Sequence, residues 1–302
     1  MPLTRSDISN LLTSGLKTIF FDAYDAAGPA AQYPRIATVV PSGKDQESYG
    51  WLGAIPTMRE FVDERMPKGL SEHNYSIRNK KWEVSIGVDR DALDDDQYGQ
   101  IRVRVQGLGA EAQRHKDQLV FELLAAGFAA TKGTCYDGQY FFDSDHSEGE
   151  SGTQSNVGTS ALSAVALQAA ITAMMKIKDD QGKVLGILPD LLVIPPDLQW
   201  TAIELLESVM RPDSALQIKN VLQGRLNFIV SPYLTDTNNW YLLDTKKVVK
   251  PTILQDRMPV EFGALEADSE NGFMRDQYVY GTRARYNGGY GLWQCAYGSN
   301  VT

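Results

Sequence analysis

Between Asn74 and Arg90 apolar and polar residues alternate: in NYSIRNKKWEVSIGVDR, Tyr75, Ile77, Trp82, Val84, Ile86 and Val88 recur largely at every second position, with charges between them. That is the period of a strand whose two faces meet different surroundings. DRDALDDDQYG follows, and Asp91, Asp94, Asp95 and Asp96 offer acceptors for the unpaired amides of a helix start and favourable charge for its dipole. The period then changes. Ile101, Val105, Leu108 and Ala112 step by four, three and four, and Leu119 with Leu123 carries the apolar face on towards Gly127, which predicts a long helix with a glycine stop. Gly107 and Gly109 interrupt it. Each interior glycine costs about 1 kcal/mol relative to alanine, so a bend or a close packing contact is expected there.

Upstream, Phe61 to Pro67 reads as the partner strand of Asn74 to Val88 in one long hairpin, with Lys68, Gly69, Leu70 and Ser71 near its tip. A lone hairpin is marginal in water. Polar on both faces and carrying Lys68, Arg78, Lys80 and Lys81, this one is expected to gain order by packing on another subunit. The first fifty residues differ from the rest. After a short amphipathic segment, Ile8 to Phe21, DAYDAAGPAAQYPRIATVVPSGKDQESYG shows little helical or strand period. Such a segment buries little apolar surface alone, so it reads as an arm, either disordered or ordered by lying across a neighbour.

Downstream, helices and strands alternate. A helix capped by Ser160 or Thr159 is predicted through LSAVALQAAITAMMKIK, with Leu162, Ala166, Ala169 and Met174 buried. DDQG makes a turn, Leu191 to Ile194 a short buried strand, and Asp197, after Pro195 and Pro196, caps a third helix with Trp200, Ile203, Leu206 and Val209 or Met210 inward. NFIVSPYL and WYLLDT read as further strands, and RDQYVYGTRARYNGGYGLWQCAYGS as two strands turned at Asn287, Gly288 and Gly289. The fold class is α+β.

Composition narrows the class without naming it. With 302 residues, 43% hydrophobic and 22% charged, the chain can bury a sizeable core. A net charge of -9 and a pI near 4.9 argue against a general nucleic-acid binder, because phosphate neutralisation needs a surplus of Lys and Arg. Cys135 and Cys295 lie far apart and match no metal spacing, so no disulfide framework is expected. The start MPLTRSDISNLL lacks the pattern of a leader, and no window approaches a bilayer span.

Candidate chemistry is thin. His73, His115 and His146 fall on an expected loop tip, a helix face and an acidic loop, sharing no motif. DSDHSEGES gathers Asp143, Asp145, His146 and Glu148, but a calcium loop would want glycine where Glu148 stands and a carboxylate where Gln154 stands. A solvated acidic loop that turns the chain is the expectation. Gly107-Leu108-Gly109 lacks the third glycine of a dinucleotide loop and sits in a helix. Neither a phosphate-cradling Gly/Lys run nor a serine elbow occurs. Tyr278, Tyr280, Tyr286, Tyr290, Trp293 and Tyr297 read as core or interface aromatics.

Taken in order, WLGAIPTMREFVDER, the alternating stretch with its acidic helix start, CYDGQYFFDSDH and DDQGKVLGILPDLLVIPPDLQWTAIELLES resemble the Mu-like phage major head subunit family, from about Trp51 to the C-terminus. The resemblance implies the Hong Kong ninety-seven type of capsid fold. It implies an N-terminal arm over 1–50, an extended loop over 51–90, a peripheral domain with a spine helix over 91–159, an axial domain over 160–251, and return strands completing the peripheral sheet over 252–302. It further implies a non-enzymatic shell protein without cofactor or metal, assembled in the host bacterial cytoplasm as pentamers and hexamers and ending in the virion. Its expected partners are copies of itself, a separate scaffold and maturation protease, a portal, a possible decoration protein, and double-stranded DNA enclosed without sequence-specific binding. Expected subunit contacts fall at Trp51, Arg59, Glu60 and Arg65 around the loop base, Lys81 and Trp82 on the loop, and Asp94, Asp95 and Asp96 at the spine start. Two rivals remain: a cellular nanocompartment shell of the same fold, and a soluble metal-dependent enzyme with an ion near His146.

Overall fold

The first fifty residues depart furthest from expectation. In the computed structural model, which describes residues 5–50, 52, 75–89, 98–210, 219–265 and 274–301, they form helix α1 (Arg5–Ala27), the short helix α2 (Tyr33–Ile36), and strands β1 (Ala37–Pro41) and β2 (Gln46–Ser48). They pack on their own chain. Leu16 and Phe20, one turn apart in α1, are fully buried against the long helix α3 (Tyr98–Ala125). Asp117 of α3 accepts from the backbone N–H groups of Gln32 (2.9 Å) and Tyr33 (2.6 Å), tying down the start of α2. The short elements α2, β1 and β2 bury at most one residue each, too few to print a period on the sequence.

The predicted alternating strand is present as β3 (Ser76–Arg78) and β4 (Lys80–Asp89). Its partner in the expected hairpin, Phe61 to Pro67, lies outside the described residues. β4 pairs instead within its own chain, antiparallel to β12 (Gln277–Tyr290), which pairs antiparallel with β11 (Thr252–Leu265), which pairs parallel with β1. This four-stranded sheet lies against α3. Register shifts in β11 fall between Asp256 and Glu261, around Pro259, which has no N–H to give a ladder.

No turn forms at Asn287, Gly288 and Gly289: β12 runs straight through them. A Cβ on Gly288 would lie 2.7 Å from Leu123 of α3, and one on Gly289 would lie 2.4 Å from Ile77. These glycines serve close approach, not chain reversal. The final strand β13 (Ala296–Ser299) belongs to a different sheet, of order β7-β13-β10-β8-β9. Its other members are β7 (Val157–Gly158), β8 (Leu191–Ile194), β9 (Asn227–Val230) and β10 (Trp240–Leu243). The two-residue strands β5 (His146–Ser147) and β6 (Thr153–Gln154) pair separately. Mixed sheets and helices make the class α+β.

α3 has the predicted buried face: Ile101, Val105, Leu108, Ala112, Leu119 and Leu123 are all buried. Of the two outcomes expected at its glycines, the packing contact is the one found. α3 is a single helix, and a Cβ on Gly109 would come within 2.5 Å of the Phe20 carbonyl of α1, while Gly107 faces open space. Gly127 follows the helix end but lies under Phe142, where a Cβ would come within 2.7 Å.

The next two helices are shifted in phase. α4 (Ala164–Met175) is capped by Ser163, whose hydroxyl accepts from the Ala166 N–H at 3.2 Å, not by Ser160 or Thr159. Its buried residues are Leu167, Ala170, Ile171 and Met174, so Ala169 faces outward. α5 (Gln199–Glu207) begins after a single 3-10 turn at Pro196–Leu198 and has no side-chain cap from Asp197. It buries Ala202, Leu205 and Leu206 and leaves Trp200 exposed; Val209 and Met210, past its end, are exposed as well.

Between the sheets sits an aromatic layer. Phe141 stacks on Tyr290 (4.7 Å between centroids), and Phe142 packs on Phe128 (4.9 Å) and Tyr241 (5.5 Å). Of the tail aromatics, Tyr278, Tyr280, Tyr286, Tyr290 and Trp293 are buried, which places them in the core.

Candidate assembly interface

The described site residues lie at the start of β4. Trp82 is half-buried; its indole N–H donates to the Tyr286 carbonyl at 2.8 Å, and its ring lies 4.3 Å from that of His115 on α3. His115 Nδ1 is 2.7 Å from the Tyr286 hydroxyl. Burial holds the His115 imidazole below its usual pKa, favouring the neutral ring, and raises that of the Tyr286 phenol. Trp82 therefore fastens β4 to α3 inside one chain. On one side of this wall a cavity of about 400 Å³ opens towards Lys80, Glu122 and Lys132; on the other, one of about 180 Å³ is lined by Val84, Val260 and Ala284. Lys81 is exposed beside them. Trp51, Arg59, Glu60, Arg65, Asp94, Asp95 and Asp96 lie outside the described residues, as does His73.

A charged junction near Lys81 carries no sequence signal. Asp45, in the loop between β1 and β2, accepts from Arg78 Nε (3.0 Å) and Arg285 Nη2 (2.9 Å), and Arg257 Nη1 stands 3.7 Å away. Its partners come from β3, β12 and β11, far apart in the chain, so only the fold brings them together.

A second surface lies on α5 and the segment after it. Trp200 and Val221 are each 71% exposed, and Val209 and Met210 are also exposed. An indole left in water at that level contributes little to the fold of one subunit.

His146 is not on a solvated loop. It is fully buried in β5, its Nδ1 lies 2.6 Å from Asp137 Oδ2, and its ring stacks on Trp293 at 4.0 Å and 4°. His146 and Glu148 turn inward because the Trp293 indole and Asp137 supply a stacking face and a hydrogen-bond partner that the local sequence does not reveal. Among the described residues, no group of three or more His, Cys, Asp or Glu side chains could hold a metal ion. Both cysteines are free and buried. Burial raises the Cys135 thiol pKa well above its usual value and that of Cys295 to about 12, so neither is a nucleophile at neutral pH. No helix among the described residues is long and apolar enough to cross a membrane.

A long helix over a sheet of extended strands, with a second mixed sheet beyond it, is the arrangement of tailed-phage capsid subunits. The structure matches a procapsid subunit of bacteriophage JBD30 with a TM-score of 0.58 and 30% identity over 99% of this chain and 76% of that one. It matches a Pyrococcus furiosus virus-like particle with a TM-score of 0.55 over 95% and 98% of the two chains, where 10% identity makes the likeness one of fold alone. The family narrows further: residues 9–164, 158–234 and 235–302 match the model of the Mu-like prophage major head subunit gpT, and this chain belongs to that family. It is 33% identical over 269 residues to the Mu-like prophage FluMu major head subunit of Haemophilus influenzae, and 30% identical over 297 residues to the major capsid protein of Escherichia phage Mu. The chain covers 65% of the first relative's length and 74% of the second's.

Proposed function

We propose that this chain is the subunit of a tailed-phage head shell, assembling with copies of itself, as pentamers and hexamers, around double-stranded DNA that it does not read by sequence. The observation that carries this reading is the match to a head-subunit family over nearly the whole chain. The mechanism is geometric: one subunit placed in slightly different environments closes a shell when its contacts repeat, and extended segments lying across neighbours add area without requiring identical angles. In this reading the five-stranded sheet with α4 and α5 faces the symmetry axes, and α3 with the four-stranded sheet forms the peripheral body.

The expected contacts at Trp51, Arg59, Glu60, Arg65, Asp94, Asp95 and Asp96 belong to this proposal, with Arg59 or Arg65 setting register against a neighbour's acidic group. So do a separate scaffold, a maturation protease, a portal, a decoration protein, and assembly in the host cytoplasm. Charge reversal at Arg65 that leaves particle yield and size unchanged would count against its role.

Electron microscopy with sedimentation of the purified protein, alone and with its genomic neighbours, tests the whole reading. Closed shells, tubes or five- and six-membered rings are expected. A stable small species under every condition would sink it. The contents separate a phage head from a cellular compartment of the same fold: DNA in the first, an enzyme in the second.

A further inference from the structure

Among the described residues, the junction at Asp45 has an imbalance of charge that its neighbours do not correct. One carboxylate serves three guanidiniums, those of Arg78, Arg257 and Arg285. Arg78, Arg285, Lys80 and Lys81 line a cavity of about 560 Å³ together with Asp45, so four cations face one anion there. Buried nitrogens lack acceptors: Arg285 Nε and Arg257 Nη1 make no hydrogen bond. Two neighbouring acids among the described residues are spent elsewhere. Glu47 accepts from the Gly43 and Lys44 N–H groups at 2.9 and 3.0 Å, and Asp256 takes Lys116 Nζ at 2.8 Å.

The cavity is built, not an accident of flexible surface chains. Asn79 donates to Ser42 Oγ (2.9 Å) and to the Lys44 carbonyl (2.8 Å), and its own N–H donates to the Asp45 carbonyl (2.8 Å), which fixes the loop that carries Asp45. Arg285 forms a floor with its side chain 15% exposed, while Arg78 stands at the rim, 76% exposed. A guanidinium nitrogen that is buried with its N–H unused leaves the site incomplete: its desolvation is not offset, because no acceptor has replaced the lost water. A planar carboxylate is the shape a guanidinium fork takes up best.

We propose that this cavity is a carboxylate receptor at which an acidic segment of a second copy of the chain docks during shell assembly. The proposal rests on the head-shell reading and deepens it. Charge complementarity selects the occupant: the chain carries 38 acidic against 29 basic residues, so each copy offers many carboxylates while this cavity concentrates the cations. In a shell those carboxylates are present at high local concentration, and complementary charge fixes which neighbour binds and in what register. A nucleic-acid phosphate is the competing anion, and the test separates it.

The experiment compares wild-type protein with the rim variant Arg78→Glu/Lys81→Glu under conditions where wild type assembles. Both substituted residues are exposed, and the Arg78–Asp45 ion pair that is lost is itself largely in solvent, so the unfolding midpoint of the unassembled subunit should fall only slightly, which controls for folding. Shell yield by sedimentation and microscopy should fall at least tenfold. Independently, mixed wild-type shells grown from unlabelled and ¹⁵N-labelled subunits are treated with a zero-length carbodiimide. Peptides joining Lys80 or Lys81 of one label to an Asp or Glu of the other are expected. Wild-type yield from the variant, or no mixed-label link at either lysine, overturns the proposal. A variant that assembles normally but retains less DNA also overturns it, assigning the cavity to phosphate. Wild-type protein that forms no shells overturns the assembly reading itself, and this proposal with it.

Discussion

Gly107 and Gly109 sit two residues apart in α3 and should respond to the same substitution with opposite signs. At Gly107 a new Cβ meets nothing within 4 Å, so Gly107→Ala adds only helix propensity and should stabilise by about 1 kcal/mol. At Gly109 the same gain is opposed. The Cβ would stand 2.5 Å from the Phe20 carbonyl oxygen and 3.2 Å from the Tyr24 nitrogen, both backbone atoms of α1, so the helices must separate. Overpacking of that kind costs about 1–3 kcal/mol. A rigid backbone oxygen places this case in the upper half of that range, which leaves Gly109→Ala a net loss of about 1–2 kcal/mol. The two variants should therefore differ by about 2–3 kcal/mol in urea unfolding of the unassembled subunit, with Gly107→Ala on the stable side of wild type. Equal midpoints, or a Gly109→Ala variant above wild type, would refute the account of α1 packing through Gly109.

Burial raises the Asp117 carboxyl pKa above its unfolded value, although the Tyr33 and Gln32 amides that bond it act the other way. The folded state then holds more protons above the unfolded carboxylate pKa of about 4, and stability from this group is lost as pH rises through the raised folded pKa. Asp117→Asn keeps an acceptor for both amides without the charge, so its stability relative to wild type should improve from pH 4 to pH 7; a flat difference would contradict the direction. Trp200→Glu should leave the subunit's unfolding midpoint within about 0.5 kcal/mol of wild type, because the indole is already in water, while reducing shell yield; unchanged yield would remove Trp200 from the interface. A thiol reagent at pH 8 should find no reactive cysteine in the native subunit and two after denaturation, because both thiols are buried with raised pKa; rapid native labelling would show that one of them is accessible.

The elements with long, regular periods were legible from sequence alone. The four-residue steps from Ile101 to Leu123 gave α3 and its buried face, the alternation from Tyr75 to Val88 gave β3 and β4, and the apolar run Leu191 to Ile194 gave β8 within its bounds. The family, too, was readable from the order of short motifs. Periodicity records burial summed over many turns, so it succeeds where one face stays buried for several repeats. It failed where a neighbour decides. Gly288 and Gly289 read as a turn because glycine pairs usually reverse a chain; the approach of Leu123 and Ile77 demands them inside a strand. Trp200 read as inward because it is large and apolar; a 3-10 turn before α5 sets the helix phase and turns it to water. His146 read as exposed because its neighbours are acidic, whereas the indole of Trp293, 147 residues on, covers it. The cluster around Asp45 is the extreme case: its segment read as part of an arm, and only the folding of the whole chain brought three arginines to one carboxylate.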